Sequence, residues 1–180
     1  QKLGIKGIAT GSVHLTSPLK RKGLLVDMIC DSTYLANNPL GTLNIASKWN
    51  EAENNFGLVI RNEYKGRSNI NAYGTYKPEG SILDMATDLD KFSISYAQPM
   101  LSDVFSEMQG NISGNIDLSG PISNLAITSN DTRLEDGLLR VAYTNVPYKA
   151  EGTFHLDETG AHFDDFKIRD NYTGTGTITG

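Results

Sequence analysis

The chain has one cysteine, Cys30, in 180 residues, which excludes an internal disulfide. Leu24, Val26 and Met28 alternate with Cys30, so the thiol reads as a small core hydrophobe. Basic residues are few and scattered. The exception is Lys20-Arg21-Lys22, beside Pro18, which reads as a solvated loop. With a net charge of −5 and a pI near 5.1, the chain lacks the basic footprint of a nucleic-acid or anionic-membrane binder. No apolar run approaches the roughly 20 residues of a spanning helix. Gly-rich phosphate loops, GxSxG elbows and CxxC pairs are also missing. Hydrophobic residues make up 38%, a low share that fits many short strands better than packed helices. No signal peptide is visible. The opening at Gln1 and the strand-like close at Thr173–Gly180 are those expected of a piece of a longer polypeptide.

What is present is period-two alternation, most clearly over Gly110–Leu156. Ile112, Gly114, Ile116 and Leu118 hold one parity, against Asn111, Ser113, Asn115 and Asp117 on the other. Such alternation marks a half-buried strand. The pattern recurs with Leu43, Ile45 and Trp49, then Phe56, Leu58 and Ile60, then Ile70, Ala72 and Tyr76. Residues 4–16 read as two short strands or one broken by glycines. Further short strands are expected around Leu83–Met85 and Phe92–Tyr96. Turn signals fall between runs: Asn37-Asn38-Pro39, Glu51–Asn55, Lys65-Gly66, Lys77–Gly80, Gly120-Pro121 and Asp170-Asn171. The parity shift between Phe163 and Phe166 at Asp164-Asp165 predicts a bulge. The expected fold is all-β, one long antiparallel sheet with an apolar and a polar face. Its one exception is a short amphipathic helix over residues 99–109, where Met100, Leu101, Val104, Phe105 and Met108 recur at three- and four-residue spacing behind Pro99. Residues 41–97 and 110–180 form loosely similar strand modules that this helix would join.

Candidate chemistry is sparse. His155 and His162 flank the hairpin Asp157-Glu158-Thr159-Gly160, with Asp164 and Asp165 nearby, a set that suits zinc or manganese. Their parity is opposite to the neighbouring apolar residues, so both point to the polar face, as ordinary surface residues would. The third histidine is His14. The acidic pairs Asp88/Asp90, Glu135/Asp136 and Asp164/Asp165 lie in expected turns, where backbone geometry already favours Asp. Asn111, Asn130 and Asn171 head glycosylation sequons that matter only in a eukaryotic secretory setting. No cofactor, metal or catalytic residue is expected from this inventory. The aromatic residues are ordinary strand formers without interleaved basic partners, so no nucleic-acid partner is expected either.

The run Gly110-Asn-Ile112-Ser-Gly114-Asn-Ile116-Asp-Leu118-Ser-Gly120-Pro121-Ile122 resembles the C-terminal repeat region of the TamB family, of the AsmA-like group of bacterial envelope proteins. The likeness continues through Thr132–Leu134, Val146–Tyr148, Phe163–Asp170 and Gly174–Gly176, and the strand pairs at 41–97 look similar to the same unit. Residues 1–40 add little to it. The acidic, Asn- and Tyr-rich character resembles a Bacteroides-type member. The resemblance implies a β-taco, a sheet curled into a U-shaped trough with an apolar lining. It implies a periplasmic protein anchored in the inner membrane, working with an outer-membrane barrel-assembly partner. Its cargo would be phospholipid or a nascent outer-membrane barrel protein. The trough lining expected on this reading is Leu43, Ile45, Phe56, Leu58, Ile60, Ile112, Ile116, Leu118, Leu139, Val141, Phe154, Phe163 and Ile168. The alternative is a surface β-sandwich for adhesion or carbohydrate binding. A glycosidase-like enzyme is the weakest reading, because its carboxylates would be expected off the turns.

Overall fold

The computed structural model describes residues 5–15, 24–35, 37–99, 101–170 and 173–180. The basic cluster Lys20–Lys22, Met100 and Asn171 lie outside the described residues, as do the side chains of His14 and Leu24. The strands are β1 (Ile5–Leu15), β2 (Leu24–Leu35), β3 (Asn38–Asn50), β4 (Asn55–Glu63), β5 (Ile70–Lys77), β6 (Ile82–Ser93), β7 (Phe105–Pro121), β8 (Ala126–Val141), β9 (Pro147–Asp157), β10 (Gly160–Asp170) and β11 (Thr175–Ile178). They form one antiparallel sheet in which spatial order equals chain order. The all-β single-sheet expectation is met. Backbone contacts divide the described chain into two compact units. The N-terminal unit holds Ile5–Asp88 and Asp117–Ile127, and the C-terminal unit holds Leu89–Ile116 and Thr128–Gly180.

The helix expected over 99–109 is not formed. Ile94–Ala97 is a single 3-10 turn, 101–104 is a bend and turn, and Phe105 already opens β7. Two α-type bonds close, Leu101 N–H to Ala97 C=O at 3.2 Å and Phe105 N–H to Leu101 C=O at 2.8 Å. The Ala142 N–H then bonds the Val104 C=O at 2.9 Å and carries the segment into the ladder. A helix of two to three turns is marginal alone, whereas the strand gains a continuous run of partners. The two strands expected around Leu83–Met85 and Phe92–Tyr96 are one, β6, and Ile94–Tyr96 leaves it as the 3-10 turn. Ile5–Leu15 forms a single strand, β1.

Bulges punctuate the ladders. Register shifts occur at Lys6/Ile8, Cys30/Thr33, Ser129/Thr132, Leu134/Gly137 and Asp164/Lys167. The bulge expected at Asp164-Asp165 is present, with Asp165 in the left-handed region at φ 49°. Ser32 (φ 50°) and Asp136 (φ 51°) take the same conformation at two of the others. Short polar residues tolerate it best. The acidic pairs Glu135/Asp136 and Asp164/Asp165 therefore occupy bulges and not the turns expected for them, and Asp88/Asp90 lie within β6. A bulge bends its strand and raises the local twist. It also frees backbone donors. The buried Ser129 Oγ accepts the Leu156 N–H at 3.0 Å, and at Lys91, itself in the left-handed region at φ 50°, Ser113 Oγ accepts the backbone N–H at 3.0 Å. Thr33, also buried, donates to Cys30 C=O at 3.0 Å across its own bulge. Buried Asn62 pins the β4–β5 connection, accepting from Asn69 and Ile70 N–H and donating to Leu40 C=O.

Thr132 breaks this rule. It is fully buried, and its hydroxyl has no hydrogen-bond partner among the described residues. A buried donor left unmade costs about 1–3 kcal/mol. Thr132→Val keeps the shape and removes the hydroxyl. It is expected to stabilise the protein by about 1 kcal/mol, a rise of about 2–4 °C in Tm for a chain of this size. A thermal melt followed by circular dichroism measures this, and a lowered Tm would show that the hydroxyl is satisfied in solution.

Candidate functional site

In the N-terminal unit, antiparallel register stacks residues of successive strands, most of them apolar, into rows on one face. Met28, Ile45, Ile60 and Ala72 form one row, Val26, Ser47, Leu58 and Gly74 the next, and Trp49, Phe56 and Tyr76 a third. All five residues expected here (Leu43, Ile45, Phe56, Leu58 and Ile60) lie on this face. Leu43 is buried and the other four are half-buried. Trp49 is buried and meets Phe56 edge to face at 4.8 Å between ring centres. Leu118, on the β7 segment of this unit, is half-buried as well. Cys30 is half-buried on the same face.

The C-terminal unit builds a denser cluster: Ile94, Met108, Leu134, Ala150 and Phe166 are buried together. Ile112, Leu139, Phe154, Phe163 and Ile168, all expected lining residues, pack against it half-buried. Ile116 and Val141 share the parity of Ile112 and Leu139 and are half-buried, but they are not part of the cluster. Phe163 bridges two rings, Phe166 at 5.0 Å and Phe154 at 6.4 Å. The centre of this cluster differs from the residues named by alternation. Ile94 and Met108 fall in the stretch read as a strand end and a helix, and Leu134 is framed by two bulges that reset its parity.

The opposite faces hold two features that alternation does not announce. In the N-terminal unit, Leu25, Val59 and Tyr73 are exposed beside Lys48 and Gly57, around an open hollow of about 470 Å3. The signal was available: Leu24-Leu25-Val26 and Leu58-Val59-Ile60 are apolar on both parities. In the C-terminal unit, register sets Lys149 opposite Arg169, and Lys167 opposite Glu151. These line a hollow of about 710 Å3 with Asp136. Three cations against two carboxylates leave it nearly neutral, so it is not an anion-binding footprint. Below it on the chain, Glu107 and Arg140 pair at 3.0 Å. The Arg140 guanidinium, aided by the Gln109 amide, holds the Glu107 carboxyl below its usual range.

One polar cluster is more ordered. His155 and His162 are direct cross-strand partners on β9 and β10, their rings stacked at 4.8 Å and 11°. Both lie on the polar face, as their parity requires. Asp157 Oδ1 accepts from Thr159 N–H (2.7 Å), Thr159 Oγ1 (2.6 Å) and Gly160 N–H (3.1 Å), while Oδ2 faces His162 Nε2 at 3.1 Å. The Thr159 hydroxyl and backbone N–H, and then His162, hold the Asp157 carboxyl well below the usual carboxylate range. Asp164 Oδ2 stands 3.7 Å from His155 Nδ1.

Comparison of the chain with protein-family models, with curated proteins and with solved structures found no match.

Proposed function

We propose that this chain is a trough module of a TamB-like envelope-biogenesis protein, binding or conducting lipid acyl chains along its apolar face. The observation that carries the reading is the set of half-buried apolar rows crossing β2 to β5, in a sheet whose strands all belong to one continuous ladder. A face of this kind takes methylene groups at about 0.8 kcal/mol each. It offers few hydrogen bonds to the cargo, so a chain can slide without breaking any. Bulges opposite glycines supply the bending that a curled sheet needs. On this reading the module works in the periplasm, within a full-length protein anchored in the inner membrane. It hands phospholipid to, or shelters strands of, an outer-membrane barrel protein alongside a barrel-assembly partner. The role is binding and passage, not catalysis.

The test uses adjacent residues of one strand. A photo-crosslinking residue is placed at Ile60 or at Val59, which point to opposite faces of β4. Phe154 and Thr153 provide the same comparison on β9. Gently extracted protein is irradiated and phospholipid adducts are read by mass spectrometry. Adducts are expected at Ile60 and Phe154, at least about tenfold above Val59 and Thr153, and Ile60→Asp should abolish co-purified phospholipid. Equal labelling on both faces, or none at Ile60 and Phe154, overturns lipid as the cargo. Peptide adducts in place of lipid would point to barrel strands.

A further inference from the structure

We propose that the tip of the β9–β10 hairpin is a binding site for a divalent transition-metal ion of the zinc class, held by His155, Asp157 and His162. Each offers one ligand atom, and the set lies within 4.8 Å. A tetrahedral ion bonded at about 2.0–2.2 Å needs its ligands about 3.4 Å apart. The Asp157 Oδ2 to His162 Nε2 separation of 3.1 Å already matches that edge. A rotation of the His155 ring out of its stack closes the remainder.

Three features prepare the site before any ion arrives. The register fixes His155 opposite His162, so neither backbone has to move. The turn locks the carboxylate: Asp157 Oδ1 is fully engaged by Thr159 and Gly160, which leaves Oδ2 directed at His162 Nε2, whose 2.9 Å hydrogen bond with Thr159 Oγ1 an incoming ion displaces. Asp164 stands beside Nδ1 of His155, where an outer carboxylate can orient the ring and leave its other nitrogen for the ion. Two imidazoles and a carboxylate suit zinc, cobalt or nickel better than calcium or magnesium, which prefer all-oxygen sets. The ligand side chains remain between 35% and 47% exposed, so the ion enters from solvent and water completes its shell. Bound metal would staple β9 to β10 at their turn, next to the Phe154–Phe163 pair.

The chain has only three histidines, which makes the test clean. Untagged protein is titrated with Zn2+ by calorimetry, and with Co2+ followed by its visible d–d absorption. One equivalent is expected, with micromolar affinity and the absorption of a low-symmetry Co2+ centre. His155→Ala, His162→Ala and Asp157→Asn should each weaken binding by about tenfold or more. Asn at 157 retains the oxygen that caps the turn. His14→Ala should leave binding unchanged. Circular dichroism checks that each variant is folded. No saturable binding below millimolar Zn2+, or binding that survives in the His155→Ala/His162→Ala double variant, overturns the proposal.

Discussion

Gly114→Ala is expected to destabilise the protein by roughly 2–6 kcal/mol. Gly114 lies in the left-handed region at φ +133°, where an L-residue is strained by about 1–3 kcal/mol. Its Cβ would also run into the backbone carbonyl oxygen of Asp131 and come within 2.9 Å of the Thr132 Cα, and forcing atoms into such a site costs about 1–3 kcal/mol more. The obstacle is backbone, so no rotamer change relieves it. Gly57→Ala is the control. Its φ is ordinary, and the nearest atom to the new methyl is the Lys48 carbonyl oxygen at 3.7 Å. Its effect should fall within about 0.5 kcal/mol of zero. Urea denaturation of both variants measures the difference. Comparable midpoints would mean that the β7–β8 backbones are not as close as described.

Phe166→Ala is expected to remove about 3–5 kcal/mol. That is a large share of the roughly 5–15 kcal/mol that a folded domain has in total. Phe166 is 5% exposed and sits at the centre of the C-terminal cluster. Its ring lies over Gly152, a position where a Cβ would come 3.0 Å from Phe166 Cδ2. Aromatic cover of a strand glycine of this kind shields backbone that would otherwise face water. Truncation uncovers that backbone and leaves Phe163 without its edge contact. Phe154→Ala, at a half-buried position, should lose less. The ranking can be read from far-ultraviolet circular dichroism in urea; if Phe154→Ala proves the costlier change, the cluster is centred elsewhere.

The sheet was legible because strand periodicity is short and each run carries its own evidence. Leu43/Ile45 and Phe56/Leu58/Ile60 declare a face without reference to anything distant, and the register then aligns them. Lys65-Gly66 was readable for the same reason, with φ of 52° and 74° satisfying the hairpin rule locally. The stretch around Met100–Met108 was misread because three-residue spacing has two physical sources. A helix produces it, and so does a turn that runs directly into a strand, with Phe105 and Met108 reaching one cluster from either side of Glu107. Only the ladder to β8 decides between them, and a single-strand pattern contains no information about its partner. The same limit hid the buried polar side chains. Ser129 and Asn62 are inside because bulges and connections leave backbone donors there, and those donors appear only once register is known. The His155–Asp157–His162 cluster lies between the two cases. Its members were visible and their face was right, but their convergence depends on the pairing of His155 with His162.

Among the described residues, each strand pairs with the strands just before and after it in the chain. The sheet is therefore close to one-dimensional, and its stability approximates a sum of hairpin terms and nearest-neighbour couplings, as in solenoid repeats. Folding can start at any well-formed hairpin and spread outward without waiting for a distant segment to arrive, which spares it the slow closure of long loops. Lengthening such a molecule requires only that another hairpin be copied onto the ladder. Substitutions several strands apart should then combine additively, while those on facing residues should not.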